Sequence, residues 1–257
     1  MRVLIIAFEG IDHELARGFH SPSFHDFPHL WQRYQGRIKS DVRTWEDTQK
    51  VWASFLTGIP MRRVGEVLVS MKDVGGEDRF ILSSLKGSIF SYASRPVCLN
   101  MPCVNPHSRY FSGEVSRLEA NAARVGKQWK SEFYEECWQF YDEEFALLLN
   151  ALKTDWDLLI AHFNNPAMVM RVFACEPRWV KRIMLHIDRS LAQLWDKVGD
   201  DVLRIVVSPF SVKCKSRRGV LSGEGFFSTN MPVITHEVLK VHEFHRVLAK
   251  IMRVHVF

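Results

Sequence analysis

Apolar runs of strand length recur along the chain and are separated by segments with helical spacing. Three continuous runs predict buried strands, at Arg2–Phe8, Asp157–Phe163 and Val202–Ser208. Parallel strands covered by helices on both faces are apolar along their whole length, so these runs indicate a parallel sheet. Two shorter runs, Glu66–Met71 and Val97–Pro102, predict further short strands.

Helices are predicted where apolar residues recur every three or four positions. A long amphipathic helix is indicated from Ser131 by Phe133, Cys137, Phe140, Tyr141, Leu148 and Leu152. A second is indicated by Ile183, Ile187, Leu191, Leu194 and Val198, and a terminal one by Leu239, Val247, Leu248 and Ile251. A shorter helix is expected near Leu85–Ala93, and another begins near Asp12. The alternation predicts one α/β domain over residues 1–257, with a central, mostly parallel sheet and helices on both faces.

Composition narrows the class of protein. The 257 residues are 47% hydrophobic and 25% charged, and the formal net charge is +5, with basic residues scattered along the chain. Nucleic-acid binding is therefore not expected. No apolar run reaches the roughly 18 residues of a membrane span, so no membrane partner is expected. The chain begins directly with an apolar strand, and its five cysteines form no CxxC pair. We expect reduced, buried thiols and a cytoplasmic protein.

The segment Thr44–Gly58, TWEDTQKVWASFLTG, carries the most informative chemistry. It predicts a helix with Thr48 in its first turn, among unpaired backbone N–H groups and at the positive end of the helix dipole. Such a position favours an anion. The alternative is that Thr48 only caps a core helix, since threonine is a common cap.

With Thr48 nine residues ahead of Thr57-Gly58, this segment resembles the nucleophile segment of a known family. The family is the type I phosphodiesterase/nucleotide pyrophosphatase branch of the alkaline phosphatase superfamily. Phe27–Arg33 resembles the turn and helix that precede the nucleophile strand, and Val97–Pro102 resembles the family's GVxNxP strand.

The resemblance continues into the second half of the chain. His186-Ile187-Asp188 through Val206-Val207-Ser208 is similar to the family pattern LDxxLxxLxxxVGxDxxxxVVS. The resemblance thus spans nearly the whole chain and implies an alkaline phosphatase-like fold. It also implies that the cap region, around residues 103–150, is trimmed relative to larger members.

Members of this family use two divalent metals, usually zinc, to activate the nucleophile. The resemblance places their ligands at Glu9, Thr48, Ala167, Arg171, Pro209, Phe210 and Leu221. Alanine, proline, phenylalanine and leucine have no side-chain donor for a metal ion. Only Glu9 and Thr48 keep oxygen donors, so we expect no metal cofactor; zinc or manganese at a rebuilt site is the alternative.

Basic residues at the same region suggest what replaces the metals. The candidates for anion binding are Arg171, Lys213 and Arg217. Arginine can hold a phosphate or carboxylate with two parallel hydrogen bonds. We expect Arg171 to form an internal pair with Glu9. The alternative for Lys213–Arg218 is a solvated loop.

Three functions remain open from the sequence. The leading hypothesis is a phosphodiesterase-like pseudoenzyme without the two-metal site, retained to bind an unknown protein partner or a small anionic ligand. The second is a metal-dependent phosphoesterase that uses Thr48 as nucleophile, with a metal held by Glu9 and neighbours such as Asp12 or Asp47. The third is a purely structural subunit whose cleft is filled by Phe210 and Leu221.

Overall fold

The computed structural model describes residues 1–18, 27–72, 78–105, 127–216, 218–234 and 237–254. Its strands are β1 (Val3–Phe8), β2 (Tyr34–Lys39), β3 (Leu68–Lys72), β4 (Asp78–Leu82), β5 (Pro96–Leu99), β6 (Leu158–Phe163), β7 (Leu203–Ser208), β8 (Ser211–Lys215), β9 (Arg218–Ser222), β10 (Glu224–Thr229) and β11 (Val238–Lys240). Its α-helices are α1 (His13–Arg17), α2 (Asp47–Thr57), α3 (Lys127–Ala151), α4 (Asn165–Phe173), α5 (Pro177–Trp195) and α6 (Val241–Val254).

The central sheet has seven strands in the order β11-β2-β10-β7-β1-β6-β5. Strand β1 lies in the middle and pairs in parallel with β6 and β7. The pairs β5–β6 and β2–β11 are also parallel, and only β10 runs antiparallel to its neighbours. The mostly parallel sheet predicted from the apolar runs is confirmed.

Successive side chains of β1 enter two separate cores, because neighbouring residues of a strand point to opposite faces. Leu4, Ile6 and Phe8 pack with α3, α4 and α5 on one face. Val3, Ile5 and Ala7 pack with α2 and α6 on the other face. Helices therefore cover both faces of the sheet, as the sequence predicts.

Two hairpins lie outside the central sheet. One joins β3 to β4 and the other joins β8 to β9. The β8–β9 hairpin packs against α4, where Gly219 leaves no space: an added Cβ would lie 2.5 Å from the Met170 carbonyl oxygen. A disulfide between Cys175 and Cys214 links the end of α4 to the same hairpin.

Several predicted elements have different bounds or types. Phe27–Arg33 forms its turn, but β2 follows instead of a helix. The helix expected near Leu85–Ala93 is a short 3-10 helix at Ile89–Tyr92. The long helix begins at Lys127 rather than Ser131. Residues 106–126 of the predicted trimmed cap lie outside the described ranges, so that cap remains a prediction. None of the described helices combines the length and the apolarity needed to cross a membrane.

Candidate functional site

Glu9 directly follows β1 and is buried with only 6% of its surface exposed. It lies two residues beyond Ala7, whose side chain faces α2, so the Glu9 carboxylate points to the same helix. There its Oε1 accepts a hydrogen bond of 2.6 Å from Nε1 of Trp52. The register of β1 and β6 pairs Ala7 with His162, which brings the imidazole to the same face. Nε2 of His162 lies 3.1 Å from Oε1 of Glu9.

The ring of His162 has an acceptor at each nitrogen. Nε2 faces the carboxylate of Glu9, and Nδ1 lies 3.1 Å from the backbone carbonyl of Asn100. A carbonyl oxygen only accepts, so Nδ1 carries a hydrogen. The imidazole thus bridges the carbonyl of Asn100 and the carboxylate of Glu9.

The network extends from His162 to a second buried carboxylate. Asn100 has a positive φ of 58°, a conformation that asparagine adopts more readily than most residues. Its carbonyl faces His162, and its Nδ2 donates a hydrogen bond of 3.0 Å to Glu144 on α3. Glu144 is 3% exposed. Polar side chains from the ends of β1, β5 and β6 thus satisfy one another inside the protein.

Thr48 lies in the first turn of α2, as the sequence predicts. Its hydroxyl donates a hydrogen bond of 2.8 Å to the carbonyl of Trp45, and its backbone N–H donates to the same oxygen at 3.2 Å. The N–H of Asp47 donates to the carbonyl of Thr44. Two of the donors that would hold an anion at this helix end are therefore used by the preceding loop.

The predicted ion pair between Glu9 and Arg171 is wrong. The partner of Glu9 is His162, and the guanidinium of Arg171 stacks on the ring of Trp45, with 4.0 Å between Cζ and the ring centroid. The reason is the side of the sheet on which each lies. Glu9 faces α2, whereas Arg171 belongs to α4, which packs on the opposite face.

The four apolar ligand positions are part of the cores. Ala167, Pro209 and Phe210 are buried, and Leu221 is half-buried against both cores. Ala167 lies so close to Gly10 that an added Cβ on Gly10 would be 2.8 Å from the Ala167 Cα. Helix α4 therefore contacts the end of β1 directly, and a longer side chain at position 10 would displace it.

Of the other anion-binding candidates, Lys213 already has internal anions. It forms a short ion pair with Glu224, and its Nζ lies 3.5 Å from Oδ2 of Asp12. The hydrogen bond with Glu224 raises the pKa of Lys213. The expected solvated loop at 213–218 is instead the β8–β9 hairpin, in which Lys213 is exposed. Arg217 lies outside the described residues.

The donor set does not fit a two-metal site. Within the described ranges, no three histidine, cysteine, aspartate or glutamate residues lie close enough together to hold a metal ion. The two carboxylates suggested for a rebuilt site have other partners. Asp12 caps α1 by accepting from the N–H of Leu15, and Asp47 accepts from the N–H groups of Arg43 and Thr44.

The expectation of reduced thiols is wrong for two of the five cysteines, because Cys175 and Cys214 form a disulfide. Cys98, Cys103 and Cys137 are free. Burial raises the pKa of the Cys98 thiol to about 12 and also raises that of Cys103, so neither is a ready nucleophile. Disulfides persist mainly in oxidising compartments, which counts against the cytoplasmic location predicted from the sequence. That location stays a prediction.

Sequence reasoning did not find His162 or Trp52 as partners of Glu9. His162 lies 153 residues from Glu9 in the chain, and only the parallel register of β1 and β6 brings them together. One signal was present: His162 and Glu9 each stand at the end of an apolar strand run. The carboxyl ends of parallel strands meet at one edge of a sheet, so polar residues there are candidates for contact.

No family model matches the sequence, and no curated protein matches it. Among solved structures, the chain is similar to the PH0037 protein from Pyrococcus horikoshii, with 11% identity and a TM-score of 0.53. That match covers 98% of this chain and 96% of the other. The chain is also similar to murine ectonucleotide pyrophosphatase/phosphodiesterase 5, with 14% identity and a TM-score of 0.47. Here 85% of this chain matches, and it spans 59% of the murine one.

A third similar structure is the alkaline phosphatase from the Antarctic bacterium TAB5, with 11% identity over 98% of each chain and a TM-score of 0.39. At these identities the likeness concerns the fold alone. The α/β fold predicted from the sequence is confirmed by the mostly parallel seven-stranded sheet, and the PH0037 protein has a similar fold.

Proposed function

We propose that this protein is a phosphodiesterase-like pseudoenzyme, which lacks the two-metal site and binds a partner protein. The observation that carries the proposal concerns the two ligand positions that kept an oxygen donor. The carboxylate of Glu9 is held by Trp52 and His162, and the hydroxyl of Thr48 is held by a backbone carbonyl. Both donors are therefore used within the chain.

The hydrogen bonding of the Thr48 hydroxyl bears on whether it can act as a nucleophile. A threonine hydroxyl is a weak nucleophile unless a base takes its proton or a metal lowers its pKa. Its hydrogen-bond acceptor is the carbonyl of Trp45, which is not basic enough to take that proton. Among the described residues, no basic side chain accepts a hydrogen bond from this hydroxyl, and this favours a protein without hydrolytic turnover.

The close packing around the positions matched to metal ligands bears on whether a small anion or a partner protein binds. Pro209 and Phe210 are buried, and α4 contacts Gly10 without a gap. This packing favours a filled cleft, as in the structural-subunit alternative, over a small anionic ligand beside Thr48. A partner protein would then bind at the surface, and a small anion at Thr48 becomes an outcome that the experiment can find.

The test measures metal and activity on the same preparation. We expect no stoichiometric zinc or manganese by elemental analysis after dialysis, and no hydrolysis of bis-p-nitrophenyl phosphate above a Thr48→Ala control, with or without added metal. A metal-stimulated turnover that Thr48→Ala abolishes would overturn the proposal in favour of a metal-dependent phosphoesterase. Saturable binding of inorganic phosphate that Thr48→Ala removes would instead support the small-anion alternative.

A further inference from the structure

A long groove lies between α3 and α5, on the face of the sheet opposite α2. It has a volume of about 1120 Å³ and adjoins a second hollow of about 700 Å³, which shares Arg178 and Arg182 with it. We call the two together the α3–α5 groove. None of its lining residues is one of the seven metal-ligand positions, so it is distinct from the site described above.

Part of the charge in the groove is paired across it. Nη2 of Arg182 lies 3.1 Å from Oε1 of Glu135, and Nε2 of His186 lies 3.2 Å from Oδ1 of Asp142. In each pair α5 supplies the base and α3 supplies the acid. These contacts fix the width of the groove and use two of the carboxylates on its α3 wall.

Three further basic residues of α5 remain without such a partner. Arg178, Lys181 and Arg189 line the groove and are exposed. None of them makes an ion pair or a hydrogen bond with the part of the chain that the structure describes. From 178 to 189 the helix rises by about 17 Å at 1.5 Å per residue. The three charges therefore form a row along one wall, not a cluster around one point.

The floor of the groove rests on two core aromatics, Tyr134 and Trp138, which are buried beneath Arg182 and His186. The ring of Trp138 stacks on His186 with 4.0 Å between centroids, and the guanidinium of Arg182 lies 4.4 Å from the ring of Tyr134. Arg182 also lies 5.5 Å from the ring of Trp179. Trp179 is half-buried and Arg182 is exposed, and tryptophan and arginine are enriched where proteins bind each other tightly. Side chains already fixed in place lose little entropy when a partner binds.

We propose that the α3–α5 groove binds an acidic helical segment of a partner protein. A single phosphate or carboxylate cannot reach all three unpaired cations, because they are spread over about 17 Å. A segment of about twelve residues in a helix covers that length. Its acidic side chains on one face would pair with Arg178, Lys181 and Arg189, and its apolar side chains would lie against the half-buried Trp179 and Leu185.

A nucleic acid fits the groove less well than an acidic helix. The α3 wall carries exposed carboxylates, including Asp142 and Glu143. A nucleic acid presents phosphates in every direction and would bring some of them against this wall. A helix with acids on one face only turns them toward α5 alone.

The experiment measures fluorescence anisotropy of a labelled peptide of about fifteen residues, with glutamates on one helical face and leucines on the other. The groove variant carries Arg178→Glu, Lys181→Glu and Arg189→Glu. The control variant carries Lys240→Glu, Arg246→Glu and Lys250→Glu at exposed positions of β11 and α6, with the same change in net charge. We expect the groove variant to bind the peptide at least about tenfold more weakly than the wild-type protein. The control variant should bind with an affinity within about twofold of the wild type.

Several results would overturn the proposal: no saturable binding by the wild type, an equal loss in both variants, or displacement of the peptide by single-stranded DNA at lower concentration than by unlabelled peptide. If the groove variant does not fold, the same three positions are changed to glutamine, with the matched glutamine set at positions 240, 246 and 250. Failure here leaves the metal and activity tests of the proposed function unaffected, because those depend on Glu9 and Thr48.

Discussion

Charged side chains are buried and paired at the Glu9 edge of the sheet, whereas in the α3–α5 groove they are exposed and some lack a described partner. At the sheet edge, Glu9 and His162 are nearly fully buried and satisfied by each other and by Trp52. In the groove, cations such as Arg178 and Arg189 are exposed and without a described partner. Exposed charge left unpaired is available to another molecule, whereas buried charge is committed to the fold.

This contrast indicates which of the two regions is more useful to test for function. The family resemblance directs attention to seven positions, and most of them are buried in this structure. The buried pair there contributes to stability only through its completeness, because an unpaired buried charge is expensive. The exposed ion pairs of the groove contribute little to stability, since each such pair is worth about 0–1 kcal/mol. Changes in the two regions should therefore have very different consequences for folding.

The largest effect is expected from breaking the buried pair. His162→Ala leaves the carboxylate of Glu9 buried without its partner, and we expect the free energy of unfolding to fall by about 3–5 kcal/mol. Urea denaturation followed by fluorescence measures the change. Glu135→Ala, which breaks the exposed pair with Arg182, is the control and should cost about 0–1 kcal/mol. Equal losses in the two variants would show that the contrast between the regions is false.

The second-largest effect on stability is expected from the disulfide that links the end of α4 to the β8–β9 hairpin. The disulfide between Cys175 and Cys214 closes a loop with a sequence separation of 39 residues. Replacing both cysteines by serine should lower the free energy of unfolding by about 2–4 kcal/mol, because the unfolded chain regains freedom. A reducing agent should lower the stability of the wild type by a similar amount and leave the double variant unchanged. Two free thiols at these positions in non-reducing mass spectrometry would contradict the pairing.

The central part of the fold could be predicted from the sequence, for a physical reason. Strands β1, β6 and β7 are buried on both faces, so their apolar runs are unbroken and unambiguous. Helices α5 and α6 show a clear apolar face. The β8–β9 hairpin was not predicted, because three of the five residues of β8 are exposed, including Lys213 and Lys215. Polar residues in a short edge hairpin look like a loop.

The candidate site was predicted only in part. Which of the positions matched to family ligands carry no donor was readable, since that depends on residue type alone. Which residue would pair with Glu9 was not readable, because side-chain direction depends on strand register. Glu9 points to the α2 face, so Trp52 and His162 reach it and Arg171 does not. A shift of one residue would have reversed that outcome.

A smaller effect is expected at Thr48, and it sharpens the contrast with a catalytic residue. Thr48→Ala removes one hydrogen bond to the Trp45 carbonyl, so we expect a loss of about 1 kcal/mol in the free energy of unfolding. Thr57 is a control at the other end of α2: its hydroxyl donates to the Ala53 carbonyl at 2.7 Å and also accepts from the Ile59 N–H at 3.3 Å. Similar losses in Thr48→Ala and Thr57→Ala would mark Thr48 as a structural hydroxyl. A normal melting temperature combined with loss of a measurable activity in Thr48→Ala alone would mark it as a nucleophile.

A second buried histidine allows a finer comparison with His162. His245 on α6 is 7% exposed, and its Nε2 lies 3.2 Å from the backbone carbonyl of Gly87. Within the described residues its hydrogen-bond partner is thus a carbonyl, whereas His162 contacts both a carbonyl and a carboxylate. Burial lowers the pKa of His245, and the positive charges of Arg246 and Arg253 lower it further. Protonation of His245 is therefore opposed by the fold.

The smallest effect is the pH dependence that follows from His245. Its pKa is lowered in the folded state from an ordinary value of 6.5, so the unfolded chain binds the proton more readily. The stabilising contribution is fully present above about pH 6.5 and is lost as the pH falls from there through the folded-state pKa. We expect the free energy of unfolding to decrease between about pH 7 and pH 5, and His245→Gln to reduce that decrease. Burial also lowers the pKa of His13 and His242, so a residual slope should remain in the variant. An identical slope in His245→Gln and the wild type would contradict the assignment.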